Sequence, residues 1–249
     1  MSDCELIYTY DGTFDGFLSC VFSVYENREI PRRISETKNL QNRLDCEYKH
    51  ITTDREKSDR VYASIRDKIS YRAIRNVFYA FLSDKPNKER LILDYIRVGY
   101  QYGRRVDNHL LLNPVNFVVS AERFVRGEAH RMLGFVRFSE LEQGVYYSAI
   151  QPKNNVLPII APHFAHRFAN MPWLIHDRGR NLCLVHLSKN WYITDVAGLP
   201  ALKFSDDETK YRKLWRQFYK TLEIKERHNE KLQKSFVPLY YRRYLTEFY

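Results

Sequence analysis

Six side chains in one short stretch have the types needed for acid–base or phosphate chemistry: Glu122, Arg123, Arg126, Glu128, His130 and Arg131, with Arg137 a little further on. On a helix Glu122, Arg126 and His130 fall at i, i+4 and i+8 and share a face, while Glu128 falls off it. Placed so, Glu122 can orient His130 as a general base while Arg126 holds a phosphate. The same spacing also describes a ladder of ion pairs at a helix end, where a cationic histidine is favoured by the helix dipole. A second group is His163, His166 and Arg167, followed by His176, Asp177 and Arg178. An HxxH pair with no fixed third ligand falls short of a zinc site, so no metal is expected, and His163, His166 and Arg167 read as an anion-binding face. Activating water or stabilising a cation needs a placed carboxylate, and Asp11, Asp15, Glu128, Asp177 and Glu247 are available. Glu128, His130 and Asp177 are the candidates for catalysis. None lies in a diagnostic spacing, and the sequence has no Walker A, GxGxxG, GxSxG or zinc-deaminase pattern. No cofactor is expected.

The third feature is the C-terminal region. Lys213, Arg216 and Lys220 alternate there with Trp215, Phe218, Tyr219 and Leu222. A helix over 206–234 would pack one face and offer phosphates the other, although a charge run is also what a solvated face looks like. The chain then runs "SFVPLYYRRYLTEFY", and Pro238 stops the helix. Tyr240, Tyr241, Tyr244 and Tyr249 can stack on bases, with Arg242 and Arg243 on phosphates. With Leu239, Leu245 and Phe248 among them, these rings are too dense to stay in water. The tail is therefore expected to dock on the body as a latch, leaving the arginines outside, because burying them unpaired is costly.

The 249 residues are 44% hydrophobic and 28% charged, a composition that can fill a core and does not suit a disordered chain. Forty Lys and Arg against 30 Asp and Glu leave a formal charge of +10, which favours polyanionic partners. No apolar run approaches the roughly 20 residues of a membrane span. The start, "MSDCELIYTYDG", lacks the basic-then-apolar order of a secretory signal, so a cytoplasmic location is expected. Cys4, Cys20, Cys46 and Cys183 are too scattered for an iron–sulfur cluster or a zinc ribbon and read as reduced, mostly buried thiols.

These residues need elements to position them. "ELIYTY" reads as a strand, and Phe14, Phe17, Leu18, Val21, Phe22 and Tyr25 keep helical spacing behind a Thr13 cap. A basic stretch from residue 27 to 43 reads as loop with a short helix, followed by a strand over 47–51. Helices are predicted over 54–69, opened by a capping box at Thr53, then 71–82, 88–102 and onward from Asn113-Pro114. The period then changes to two, giving strands over 133–138, 144–150, 172–177, 181–187 and 191–196, with a helix between the second and third. The fold class is α+β: an N-terminal strand–helix unit and helical region packed on a mostly antiparallel sheet of about five strands, with a long C-terminal helix and docked tail. One domain over 1–249 is expected, with subdomains at 54–130 (helical) and 131–200 (sheet).

Four segments in this order, "YDGTFDGFLSCVFSVYENREIP", "GEAHRMLGFVRF", "PHFAHRFANMPWLIHD" and "VPLYYRRYLTEF", resemble a bacterial family of DNA-metabolism proteins that carries a domain of unknown function. The resemblance implies a neighbouring gene for a radical-SAM protein with a helix-hairpin-helix region, and relatives fused to a uracil-DNA glycosylase of the family 4 type. It implies no catalytic residues. The expectation is a DNA-binding protein of a modification or repair pathway, acting with the radical-SAM protein as a binding or substrate-presenting subunit. Its expected nucleic-acid contacts are Arg126, Arg131, Arg137, His163, His166, Arg167, Lys213, Arg216, Lys220, Arg242 and Arg243. The alternatives are a DNA-processing enzyme, glycosylase-like or nuclease-like, and an interaction module for that partner.

Overall fold

The computed structural model describes residues 5–39, 46–187, 190–196, 202–222 and 229–248. Cys4 and Tyr249, and residues 223–228 of the expected C-terminal helix, lie outside them. The chain forms two compact units, residues 1–126 and 127–249.

In the first unit β1 (Glu5–Tyr10) lies between β2 (Arg33–Glu36) and β3 (Cys46–His50), both parallel to it. β2 corrects the expected loop: its four residues bury only Ile34, so no alternating pattern marks it in the sequence. After β1 the chain turns into α1 (Phe14–Asn27), and the Thr13 hydroxyl accepts from Gly16 N at 3.0 Å as expected of a cap. Gly16 is required, because a Cβ there would lie 2.2 Å from an Asp11 carboxylate oxygen. Helices α2 (Arg55–Lys68), α3 (Tyr71–Phe81) and α4 (Lys88–Tyr102) follow. Asp54, not Thr53, caps α2, since the Thr53 hydroxyl is bonded to Asp11 at 2.7 Å. Tyr8, Tyr10, Phe17, Ile65, Ile92 and Tyr95 are fully buried and fill the core of this unit.

Helix α5 (Asn113–Phe135) covers the first half of the strand expected over 133–138, residues 136–138 are not strand either, and β4 (Ser139–Glu140) lies just beyond. Val125, Ala129 and Met132 are all buried at spacings of four and three, so the helical period runs on into a segment that also fits alternation. The second unit's sheet continues with β5 (Tyr146–Ile150), β6 (Trp173–Asp177), β7 (Leu182–Leu187) and β8 (Asn190–Asp195), in spatial order β4-β5-β6-β7-β8. Its pairings are antiparallel except β5–β6, which is parallel and connected by α6 (Leu157–Arg167). Ala129 and Met132 of α5, Val136 just after it, and Ile160 and Phe164 of α6 form one core with Ile150, Trp173, Ile175 and Leu184 of the sheet. The α+β class expected from the sequence is the class observed.

The C-terminal region departs from expectation in two ways. It is not one helix: α7 (Asp206–Thr221) and α8 (Glu230–Phe236) are distinct, and Asn229 is extended and caps α8 with its own side chain. Nor does the apolar stripe of α7 pack. Tyr211, Leu214, Trp215, Phe218 and Leu222 are all exposed, and only Tyr219 of the expected stripe turns inward, onto Phe248. The tail does dock: α9 (Leu239–Arg242) is followed by a short 3-10 turn, and Tyr241, Leu245 and Thr246 are buried. Cys20 and Cys183 are buried free thiols and Cys46 is half-buried; burial pushes Cys20 up to about 12 and Cys183 up to about 11. No helix among the described residues is long and apolar enough to cross a membrane.

Candidate functional site

Strand alternation in β5 and β6 builds the site. Ser148 and Ile150 of β5, with Trp173, Ile175 and Asp177 of β6, are buried on the face that α5 and α6 cover. Tyr147, Ala149 and His176 therefore turn to the opposite face, where Ala149 lies beside His176 in register. There they floor a cleft of about 680 Å³. Arg178 and Asn181 reach it from the turn between β6 and β7. Arg137 comes from just before β4 and Ser139 from β4 itself, Phe204 from just before α7, Arg212 from α7, and Arg243, Tyr244 and Thr246 from the tail.

Two of its four guanidinium groups are neutralised. Arg137 grips Glu247 through Nη2 at 2.8 Å and Nε at 3.3 Å, and Arg212 bonds Glu208 at 2.9 Å while lying 4.2 Å over the Phe204 ring. Burial alone would push the Glu247 carboxyl up, but its bonds to Arg137 and to Trp215 Nε1 outweigh burial and hold it below the usual carboxylate range. Arg243 has no carboxylate partner among the described residues. It donates to Gln151 Oε1 at 2.7 Å and lies 5.0 Å from both the Tyr240 and Tyr244 rings. The side chain of Arg178 is exposed and forms no ion pair among the described residues. His176 Nδ1 is 3.2 Å from the Tyr147 hydroxyl, and its Nε2 is buried without a partner. Burial and the Arg178 charge hold the imidazole below its ordinary range, so it is neutral at pH 7. The cleft thus carries two uncompensated positive charges beside tyrosine rings and one neutral histidine.

Every residue of this cleft falls within 86–247, the segment that matches the family model for a domain of unknown function, DUF4130. The chain belongs to the DUF4130 family. No curated protein matches it.

Of the nucleic-acid contacts expected from sequence, this DUF4130 segment gathers Arg137 and Arg243 in the cleft. His163, His166 and Arg167 are exposed on α6, which packs on the other face of the sheet. Arg126 is paired with Glu122 at 2.8 Å on α5, and Arg131 is exposed one turn further along. Lys213 and Lys220 are exposed on α7, while Arg216 folds back on the Arg212 carbonyl. Arg242 bonds Val237 O and Gln233 and lies over Phe248, so it ties the tail together.

The catalytic candidates separate. Glu128 is buried and accepts from the backbone N–H groups of Lys153 and Asn154, both at 2.8 Å, from the Asn154 side chain and from the Tyr241 hydroxyl. It fastens the loop at 152–155 and the tail. His130 is exposed on α5, and Glu122 bonds Arg126 instead of orienting it. Asp177 is 0% exposed, accepts from Gly179 N and Arg180, and faces away from the cleft. Burial pushes its carboxyl up despite Arg180. Asp11 is occupied by Thr13 and Thr53, and Asp15 by Arg55 and Ser58. No group of three or more His, Cys, Asp or Glu among the described residues is placed to hold a metal. Sequence reasoning named Tyr244 as a stacking ring and grouped Arg178 with His176, but it assigned no contact to Arg178, Arg212 or Tyr147. Alternation along "IHDR" held the signal for Arg178, since 176 and 178 share a strand face that 177 does not.

Proposed function

We propose that this protein binds nucleic acid through the arginine-lined cleft and serves DNA modification or repair as a binding or substrate-presenting subunit, with a radical-SAM protein doing the chemistry. The carrying observation is the pair of uncompensated guanidinium groups, Arg178 and Arg243, set beside Tyr147 and Tyr244 on a chain of net charge +10. A binding role is further supported by the lining, which contains no carboxylate among the described residues. A phosphate backbone contacted by these groups releases counterions, so affinity should fall linearly with salt on logarithmic axes. Fluorescence anisotropy over a salt series tests this. Replacing both Arg178 and Arg243 by alanine is expected to weaken binding and to lower the slope by about 0.7 for each lost phosphate contact on a single strand. Absence of binding at low salt, or an unchanged slope in the double variant, would overturn the proposal.

A second reading is an interaction module for that radical-SAM partner. The observation in its favour is the outward stripe of α7, with Trp215 at 42%, Phe218 at 53% and Leu222 at 62% exposure.

A further inference from the structure

We infer that the cleft is a single-strand site, which takes an unpaired nucleotide with its phosphate on Arg178 and Arg243 and its base against Tyr147 or Tyr244. The inference rests on the nucleic-acid reading above and adds the form of nucleic acid that the site selects.

Four observations lead to it. The cleft, at about 680 Å³, is the size of a small-ligand pocket and is concave. A duplex keeps its bases stacked inside and can offer such a hollow only its backbone, so it would leave the aromatic floor unused. Second, the rings are held in place. The Tyr244 hydroxyl donates to Gln151 Oε1 at 2.7 Å, the same oxygen that receives Arg243, and Tyr147 is tied to His176. A fixed ring offers a stacking platform without an ordering cost on binding. Third, the free charges are near the rings: Arg243 lies 5.0 Å from the Tyr244 centroid, so a phosphate on its guanidinium brings the attached base within reach of a ring. Fourth, among the described residues His176 Nε2 is the one buried polar side-chain atom of the lining that lacks a partner. Because the imidazole is neutral, it suits the polar edge of a base better than a second phosphate.

The test uses the full chain, with one single-stranded deoxyoligonucleotide and the blunt duplex of the same sequence as probes in anisotropy. A 2-aminopurine in the single strand reports stacking. The single strand is expected to bind at least about tenfold more tightly than the duplex. Tyr147→Leu and Tyr244→Leu should each weaken it by about tenfold while leaving the salt slope unchanged, because stacking releases no counterions. Tyr147→Phe retains the ring and should retain the affinity, which covers the case in which the leucine variant fails to fold. Equal or tighter duplex binding that is still weakened by loss of Arg178 and Arg243 would overturn the single-strand assignment and leave nucleic-acid binding standing. A single-strand preference indifferent to both tyrosines would also overturn it. No binding of either probe at low salt would remove both proposals.

Discussion

Glu247 shows how a surface-looking acid becomes structural. Its side chain is only 6% exposed, and it holds Arg137 at the cleft wall and the indole of Trp215 at once. Its folded carboxyl titrates below the ordinary glutamate value of 4.5, so its contribution is fully present above that value and is lost as pH falls through the lower folded one. Acid titration of stability should therefore steepen below pH 4.5, and Glu247→Gln should remove part of that steepening. Denaturant melts over a pH series measure both. The sequence made Glu128 and Asp177 look catalytic for a physical reason: both are acids next to a histidine or arginine. What occupies them instead is remote in the chain, the Tyr241 hydroxyl for Glu128 and, for the arginine that pairs with Asp177, the carbonyls at 152 and 153. No local spacing encodes such partners. Arg178, in contrast, was legible once β6 was granted, since its side follows from strand period alone.

At the scale of elements, period was a sound guide where one face is buried and a poor one where it is not. β5 and β6 are legible close to their observed bounds because their inward residues alternate against a real core, whereas β8, with only Ile193 turned to that core, is legible from its β-branched and aromatic residues. β2 escaped notice because it buries one residue, and α5 was cut short because "LGFVRF" fits both periods. α7 misled in the opposite sense: its stripe has helical spacing but turns to solvent, and the body holds the helix through Arg212, Glu208 and Tyr219. Phe218→Glu should then change stability by no more than about 0.5 kcal/mol, whereas Phe164→Ala in the α6 core should cost about 3–5 kcal/mol. Chemical denaturation separates the two. If α7 carries the partner contact, the same Phe218→Glu should abolish co-purification with the radical-SAM protein in nuclease-treated extracts.

On the scale of the whole molecule, the family segment and the compact units do not coincide. The match begins at residue 86, inside the first unit, just before α4. Ile92, Leu93, Tyr95 and Ile96 of α4 are completely buried there, and Glu89 accepts from Tyr10 of β1. A fragment of residues 86–247 would leave those four side chains in water. It is expected to aggregate or to unfold without cooperativity, which calorimetry and limited proteolysis would show, while the full chain melts cooperatively. The order in which the cleft is assembled follows from the docked tail. Its floor is finished when β6 has been made, but Arg243 and Tyr244 come almost seventy residues later in synthesis. A growing chain on the ribosome can thus complete the floor of the cleft while the wall that carries Arg243 and Tyr244 has yet to leave the exit tunnel.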